Sequence, residues 1–218
     1  MTSPTDASSA LPTVEVLVFE GVDELDAVGP FEVLSGAGFP TTTAGWPAGR
    51  DSIRGANGLT IGVDGPVGDQ PGLLIVPGGG WLARSDVGVR PLVEGSELPQ
   101  VITRLHANGT VVASVCTGAM LLAAAGLLKG RPAVTNRRAL DDLRTTGADV
   151  RDDARVVDDG DVLTSGGVLA GIDLAIRIVE RYLGEHAARR STERLEYHRQ
   201  GPLLVTGQVE RSRTKLQD

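Results

Sequence analysis

Ser114-Val115-Cys116-Thr117-Gly118 sets the only cysteine of the chain between a run that reads as a strand and a run that reads as a helix. Before it, Thr110-Val111-Val112-Ala113 is short, β-branched and apolar, the pattern of a buried strand. After it, Ala119-Met120-Leu121-Leu122-Ala123-Ala124-Ala125 is built of strong helix formers. A side chain displayed on so tight a turn requires small neighbours two positions away on each side, and Ser114 and Gly118 supply them. The unpaired N–H groups of the following helix favour a thiolate, so a lowered thiol pKa is expected. A lone cysteine elsewhere reads as a small buried hydrophobe; its place on this turn makes Cys116 a candidate nucleophile.

Working outward, Val14–Phe19 and Leu73–Val76 repeat the buried-strand pattern, and Ala133–Thr135 is a shorter instance. The first strand is followed by a loop, Glu20 to Gly29, feeding a helix that begins near Pro30 and stops at Gly36 and Gly38. Arg54 to Val63 suggests a β-rich excursion. Helices are expected from about Leu98 to Ala107, ending at Asn108-Gly109, and from Arg138 to Arg144. Asp158-Asp159-Gly160-Asp161 marks a hairpin turn, and a long amphipathic helix is expected over Ile172 to Ala188.

Strands alternating with helices predict an α/β fold: a flavodoxin-like three-layer sandwich whose mostly parallel sheet carries helices on both faces. Residues 1–12, rich in Ser, Thr, Pro and Ala, read as a disordered leader, 13–200 as one domain, and 201–218 as a C-terminal arm or tail.

The 218 residues are ordinary for a globular protein, with 41% hydrophobic and 22% charged. A net charge of −7 argues against nucleic-acid or membrane-surface partners, and 3% aromatic residues leave little for base stacking. One cysteine forms no internal disulfide and fits a reducing compartment. The N-terminus lacks a basic segment, and the longest apolar run, Ala119 to Leu128, is too short to cross a bilayer. A cytoplasmic location is therefore expected.

In such folds the active site collects at the carboxyl ends of the strands. Three segments qualify: Glu20 to Gly29, Pro77-Gly78-Gly79-Gly80, and the Cys116 turn. The three histidines do not. His106 falls near a helix C-terminus, His186 near the end of the long helix and His198 in the tail. A carboxylate is the better proton partner for a thiol, and the first loop offers Asp23 and Asp26, with Asp26 equally readable as a helix cap. The amides of Gly79 and Gly80, with the N–H of Thr117, are candidate donors to an oxyanion. No cluster with metal-ligand spacing is present, so no metal or other cofactor is expected.

Leu25-Asp26-Ala27-Val28-Gly29-Pro30, Val76-Pro77-Gly78-Gly79, Ser114-Val115-Cys116-Thr117-Gly118 and Ser165-Gly166-Gly167-Val168-Leu169-Ala170-Gly171-Ile172-Asp173 occur together and in this order. Over about Val14 to Tyr197 the chain thereby resembles the DJ-1/PfpI superfamily, within the class I glutamine-amidotransferase-like fold, and most nearly its isocyanide hydratase branch. The resemblance is carried by Thr117 after the cysteine, where peptidase-like members have histidine, and by Asp26 where many members use glutamate. Hydratase-like sequences often carry His-Trp where this chain has Asn136-Arg137.

The resemblance implies cysteine-dependent hydration of an isocyanide to an N-substituted formamide through a covalent thioimidate. Cys116, Asp26 and Thr117 would be catalytic, with Gly79, Gly80 and Asn136 binding substrate or an oxyanion. It also implies a homodimer, with Glu196-Tyr197 to Gly207 as an arm against the second subunit. From the sequence itself that segment is equally a loose tail. Asp173 and the Ser165-Gly166-Gly167 turn read as structural, Asp173 complementing a helix dipole. The rival readings are a thiol redox sensor of the DJ-1 type without turnover, and glyoxalase- or deglycase-like chemistry on small carbonyls.

Overall fold

The computed structural model describes residues 10–206. Most of the expected leader, and the arm beyond 206, lie outside the described residues. In chain order the elements are β1 (Val14–Phe19), α1 (Glu24–Gly36), β2 (Thr41–Trp46), β3 (Ser52–Arg54), β4 (Thr60–Gly62), β5 (Gly65–Pro66) and β6 (Leu73–Val76). Then come α2 (Val89–Gly95), α3 (Leu98–Ala107), β7 (Val111–Ser114), α4 (Ala119–Ala124), β8 (Pro132–Ala133), α5 (Leu140–Arg144) and β9 (Asp149–Val150). The last are β10 (Val156–Asp159), β11 (Val162–Ser165), α6 (Ala170–Leu183), α7 (Glu185–Arg194) and β12 (Leu203–Val205).

One eight-stranded sheet runs β12-β10-β11-β7-β6-β1-β2-β5. Its pairings are parallel except for β10 against β11. That exception is the hairpin the Asp-Asp-Gly-Asp turn predicts. β6 and β11 are buried at every position, as strands covered on both faces must be. Helices α1, α6 and α7 pack together on one face, and α2, α3, α4 and α5 pack on the other. This is the expected flavodoxin-like three-layer α/β sandwich. The hairpin β3–β4 forms a small separate sheet that begins two residues before the excursion expected at 54–63 and otherwise falls within it.

Several boundaries differ from expectation for identifiable reasons. Helix α1 begins at Glu24 rather than near Pro30, because the Asp23 side chain accepts from the Leu25 amide at 3.3 Å and caps it. Pro30 therefore sits inside the helix, with no N–H to return to the Asp26 carbonyl four residues back. The earlier start places Asp26 in the first helical turn. The long helix expected at 172–188 is two helices, since Gly184 adopts φ +84°, outside the helical region. Strand β2 was not foreseen: Thr41-Thr42-Thr43-Ala44-Gly45-Trp46 carries no apolar alternation and is recruited by pairing with β1.

Part of the expected C-terminal arm is held in place. Strand β12 extends the sheet beside β10. Upstream of it, the buried Asp173 carboxylate accepts from Arg155 Nε at 2.6 Å, Tyr197 Oη at 2.9 Å and the Gln200 amide at 3.1 Å. No helix among the described residues is long and apolar enough to cross a membrane.

Candidate active site

Strands β1, β6 and β7 are neighbours, and the segments leaving their carboxyl ends carry Asp26, Gly78–Gly80 and Cys116 respectively. The chain leaves β1 toward β2 on one side and later enters β6 on the other. The strand order thus reverses between β1 and β6, the crevice where open α/β sheets bind ligands. Residues 26, 78 and 116 are drawn together by this topology alone.

Cys116 adopts φ +55°, a left-handed conformation that costs a non-glycine residue about 1–2 kcal/mol. Three contacts hold it there. Its amide donates to the Gly166 carbonyl at 2.8 Å, its carbonyl accepts from Thr135 Oγ1 at 2.8 Å, and the Cys116–Gly118 turn closes through the Gly118 amide on the Val115 carbonyl. Gly118 admits no side chain, since a Cβ there would run into the Val76 and Pro77 carbonyls. The cysteine is 6% exposed.

Asp26 is fully buried. Its Oδ2 accepts from the Gly78 amide at 3.0 Å, whereas Oδ1 has no hydrogen-bond partner among the described residues. Burial first, and the charge of Asp23 second, push its carboxyl up to about 8, against the pull of the Gly78 amide and the Cys116 thiol. Burial and the Asp26 charge also push the Cys116 thiol up to about 12, opposed by the Asn136 side chain and the Thr117 amide. This corrects the sequence expectation of a depressed thiol pKa. The elbow runs into a short turn and then a helix of only six residues, too little dipole to offset desolvation and a neighbouring carboxylate.

The other expected site residues are placed unequally. Thr117 is 2% exposed and accepts from the Gly79 amide at 3.2 Å through Oγ1. Gly79 thus orients Thr117 instead of presenting a free donor. The Gly80 amide makes no hydrogen bond among the described residues. Asn136 donates through Nδ2 to Cys116 Sγ at 3.3 Å, while its Oδ1 accepts from the Arg138 amide at 3.0 Å.

His106 pairs with Asp161 at 2.8 Å, just before β11 and at the opposite end of the sheet from the cysteine. His186 and His198 are exposed. Among the described residues no group of three or more His, Cys, Asp or Glu is placed to hold a metal ion.

Sequence reasoning missed the supports. Glu24, buried, accepts from the Asn57 amide and side chain at 2.7 Å each and from the Leu59 amide at 3.2 Å. Burial works against its charge, but these bonds win and hold its carboxyl below the usual range, tying the start of α1 to the β3–β4 hairpin. Thr135 and Gly166 clasp the elbow backbone. The Ser165-Gly166-Gly167 turn reads as structural in the sequence, but nothing local ties Gly166 or Thr135 to the cysteine. Asp173 lies in the first turn of α6, as expected, and in addition binds the Arg155 guanidinium.

Two cavities flank this cluster. One, of about 360 Å³, is bounded by Thr135, Arg137, Gly166 and Gly167. The other, of about 470 Å³, lies between Trp81 on the glycine loop and Met120 on α4. A buried thiol beside a carboxyl that holds its proton to about pH 8 is suited to nucleophilic attack coupled to proton delivery.

A parallel sandwich carrying a strained cysteine elbow against a buried carboxyl defines a thiol-bearing α/β class. The comparisons narrow it: residues 12–181 match the DJ-1/PfpI family, to which the chain belongs. It is similar to an isonitrile hydratase of Pseudomonas putida, 36% identical over 83% of this chain and 76% of that protein. It is also similar to a deglycase of Thermococcus kodakarensis, 30% identical over 70% of this chain and 88% of that one. The crystal structure of a ThiJ/PfpI family protein from Pseudomonas syringae superposes with a TM-score of 0.76 at 26% identity, over 92% of this chain and 84% of the other.

Proposed function

We propose that the protein hydrates isocyanides to N-substituted formamides, with Cys116 as nucleophile and Asp26 as general acid and base. The observation that carries the reading is the pairing of Cys116, strained at φ +55°, with a buried Asp26 carboxyl, one oxygen of which has no partner among the described residues. The similarity to isonitrile hydratase supports it.

The reactive form is the pair carrying one proton. Moving that proton from sulfur to Asp26 Oδ1 yields a thiolate and a carboxylic acid side by side. The thiolate adds to the terminal isocyanide carbon, and the negative charge develops on that carbon. Asp26 delivers its proton there, giving a thioimidate, R–N=CH–S–Cys116. The Asp26 carboxylate then takes a proton from water as the hydroxyl adds to the same carbon and passes that proton to the nitrogen, giving R–NH–CH(OH)–S–Cys116. As the adduct collapses, its hydroxyl gives its proton to Asp26 and the C–S bond breaks, releasing R–NH–CHO and restoring the thiolate beside a protonated carboxyl. An oxyanion arises only in this second half. Free donors such as the Gly80 amide, with the Thr117 hydroxyl positioned by Gly79, belong to that step.

The test is formamide production from an aryl isocyanide by wild type and Cys116→Ser. Turnover in the wild type alone is expected. A folded, reduced wild-type protein that makes no formamide overturns the reading. A second reading, deglycase-like chemistry on small carbonyls, is favoured by the Thermococcus relative. Methylglyoxal consumption in the same assay, without formamide chemistry, would select it. The reading includes a homodimer, which the family resemblance implies. Light scattering at micromolar concentration tests that part.

A further inference from the structure

We infer that Asn136 acts on the nucleophile rather than on the substrate: its carboxamide is a locked, uncharged hydrogen-bond donor that selects the thiolate form of Cys116. The inference rests on Cys116 being the nucleophile, as proposed above, but not on the identity of the substrate.

The orientation of the amide is fixed from both ends. Asn136 is the N-cap of the short turn Arg137–Ala139, and its Oδ1 accepts from the Arg138 amide at 3.0 Å. With the oxygen engaged in the cap, Nδ2 is the end left to face Sγ, at 3.3 Å. A flipped amide would set its NH₂ against the Arg138 N–H and its oxygen against sulfur, losing both bonds. The preceding residue strengthens the registration, because Thr135 Oγ1 donates to the Cys116 carbonyl at 2.8 Å. Residues 135 and 136 thus grip the cysteine by its backbone and its side chain together. On the far side the packing is close: a Cβ at Gly167 would lie 3.2 Å from Asn136 Nδ2.

The electrostatic surroundings give such a donor its purpose. Asp26 and Asp23 both disfavour negative charge on sulfur, and burial does so more strongly. The groups acting in the other direction are the Asn136 side chain and the Thr117 amide. Of these only Asn136 can be altered by substitution without changing the backbone. A hydrogen bond to a charged group favours that form more than a bond between neutral groups does. In the singly protonated pair, Asn136 therefore shifts the proton from sulfur toward Asp26. Its donation does not titrate, so it acts alike across the working pH range.

The experiment uses the single thiol of the chain, so that alkylation reports Cys116 alone. Asn136→Ser keeps a good N-cap but is too short to reach sulfur. Asn136→Asp keeps the cap oxygen and the shape while removing the donor, and serves if the serine variant folds poorly. Iodoacetamide alkylation is followed from pH 7 to 10 without substrate, alongside thermal melting. With melting temperature preserved, alkylation is expected to slow by about tenfold in Asn136→Ser and by more in Asn136→Asp. A purely packing role predicts the opposite direction, because serine opens access to a thiol that is 6% exposed. Unchanged or faster alkylation in both variants overturns the inference. No isocyanide is present, so the result stands apart from the fate of the hydratase reading.

Discussion

The Gly78 amide donates to Asp26 Oδ2 at 3.0 Å, joining residues 52 positions apart at the point where the strand order reverses. One oxygen of the carboxyl is thereby anchored to the glycine loop, and the other is left buried with no partner among the described residues. Asp26→Asn retains an oxygen for the Gly78 amide and removes the exchangeable acid. Loss of a positioned acid–base group costs roughly 100-fold or more. Formamide turnover is expected to fall by at least that much while the circular dichroism spectrum stays the same. Wild-type turnover in this variant would remove Asp26 from the mechanism.

The same carboxyl predicts a pH dependence of stability. Burial raises its pKa from 3.8 to about 8, so the folded protein holds a proton that the unfolded chain has already released. The stability this contributes is fully present below about pH 3.8 and is lost as pH rises through about 8. Asp26→Asn, which never ionises, is therefore expected to melt higher than wild type at pH 9, by roughly 5 °C or more, with the gap narrowing toward pH 5. Equal melting temperatures at pH 9 would mean that the carboxyl ionises in the fold without penalty.

A limb in the activity profile follows from the same pair. The reactive form carries one proton, and the first proton leaves with an apparent pKa near 8. Turnover is expected to rise with pH through about 8 and to level off above it. A profile flat from pH 6 to 9 would point to a thiolate already formed at neutral pH.

The parts of this fold legible in the sequence are those with a local cause. Leu73–Val76 is apolar because both faces of the sheet are covered, and the elbow shows in the small residues around Cys116. A carboxylate of the first loop, Asp23 or Asp26, was reachable by elimination, since no histidine lies at a strand end, and the family resemblance singles out Asp26. Cys116's raised pKa was not legible, because it depends on burial and on a carboxylate 90 positions away, the difference between 116 and 26. Nor was the division of labour in the glycine loop. Gly78, Gly79 and Gly80 look alike in sequence, yet one holds Asp26, one holds Thr117 and the last is left free. Pairing decides such roles, and Thr41–Trp46 becomes a strand for the same reason.

Gly118 is the tightest steric point of the elbow. A methyl group there meets the backbone carbonyls of Val76 and Pro77, atoms fixed in and beside β6 that cannot swing away as a side chain would. Gly118→Ala must therefore displace either the elbow or the end of β6. Overpacking against rigid backbone costs typically 1–3 kcal/mol. Urea unfolding is expected to show a loss of about that size, with cysteine alkylation faster because the elbow has moved. An alanine variant of unchanged stability and reactivity would show that the turn has slack.

A chain of hydrogen bonds joins Asp173 to the elbow. It holds the Arg155 guanidinium at 2.6 Å; the Arg155 carbonyl accepts from the Gly166 amide at 3.0 Å; the Gly166 carbonyl in turn accepts from the Cys116 amide at 2.8 Å. The same carboxylate fastens Tyr197 and the Gln200 amide, and so the approach to β12. Asp173 is 5% exposed, which makes Asp173→Ala the removal of one partner from a largely buried ion pair, and such changes cost about 3–5 kcal/mol. A loss near the lower end is expected in urea, since Arg155 keeps partial access to water that softens its unpaired charge. Screening by salt should reproduce little of it, because the pair is shielded from the ions. A loss below about 1 kcal/mol, or one fully mimicked by 1 M salt, would place the pair among surface contacts and sever the link from Asp173 to the cysteine.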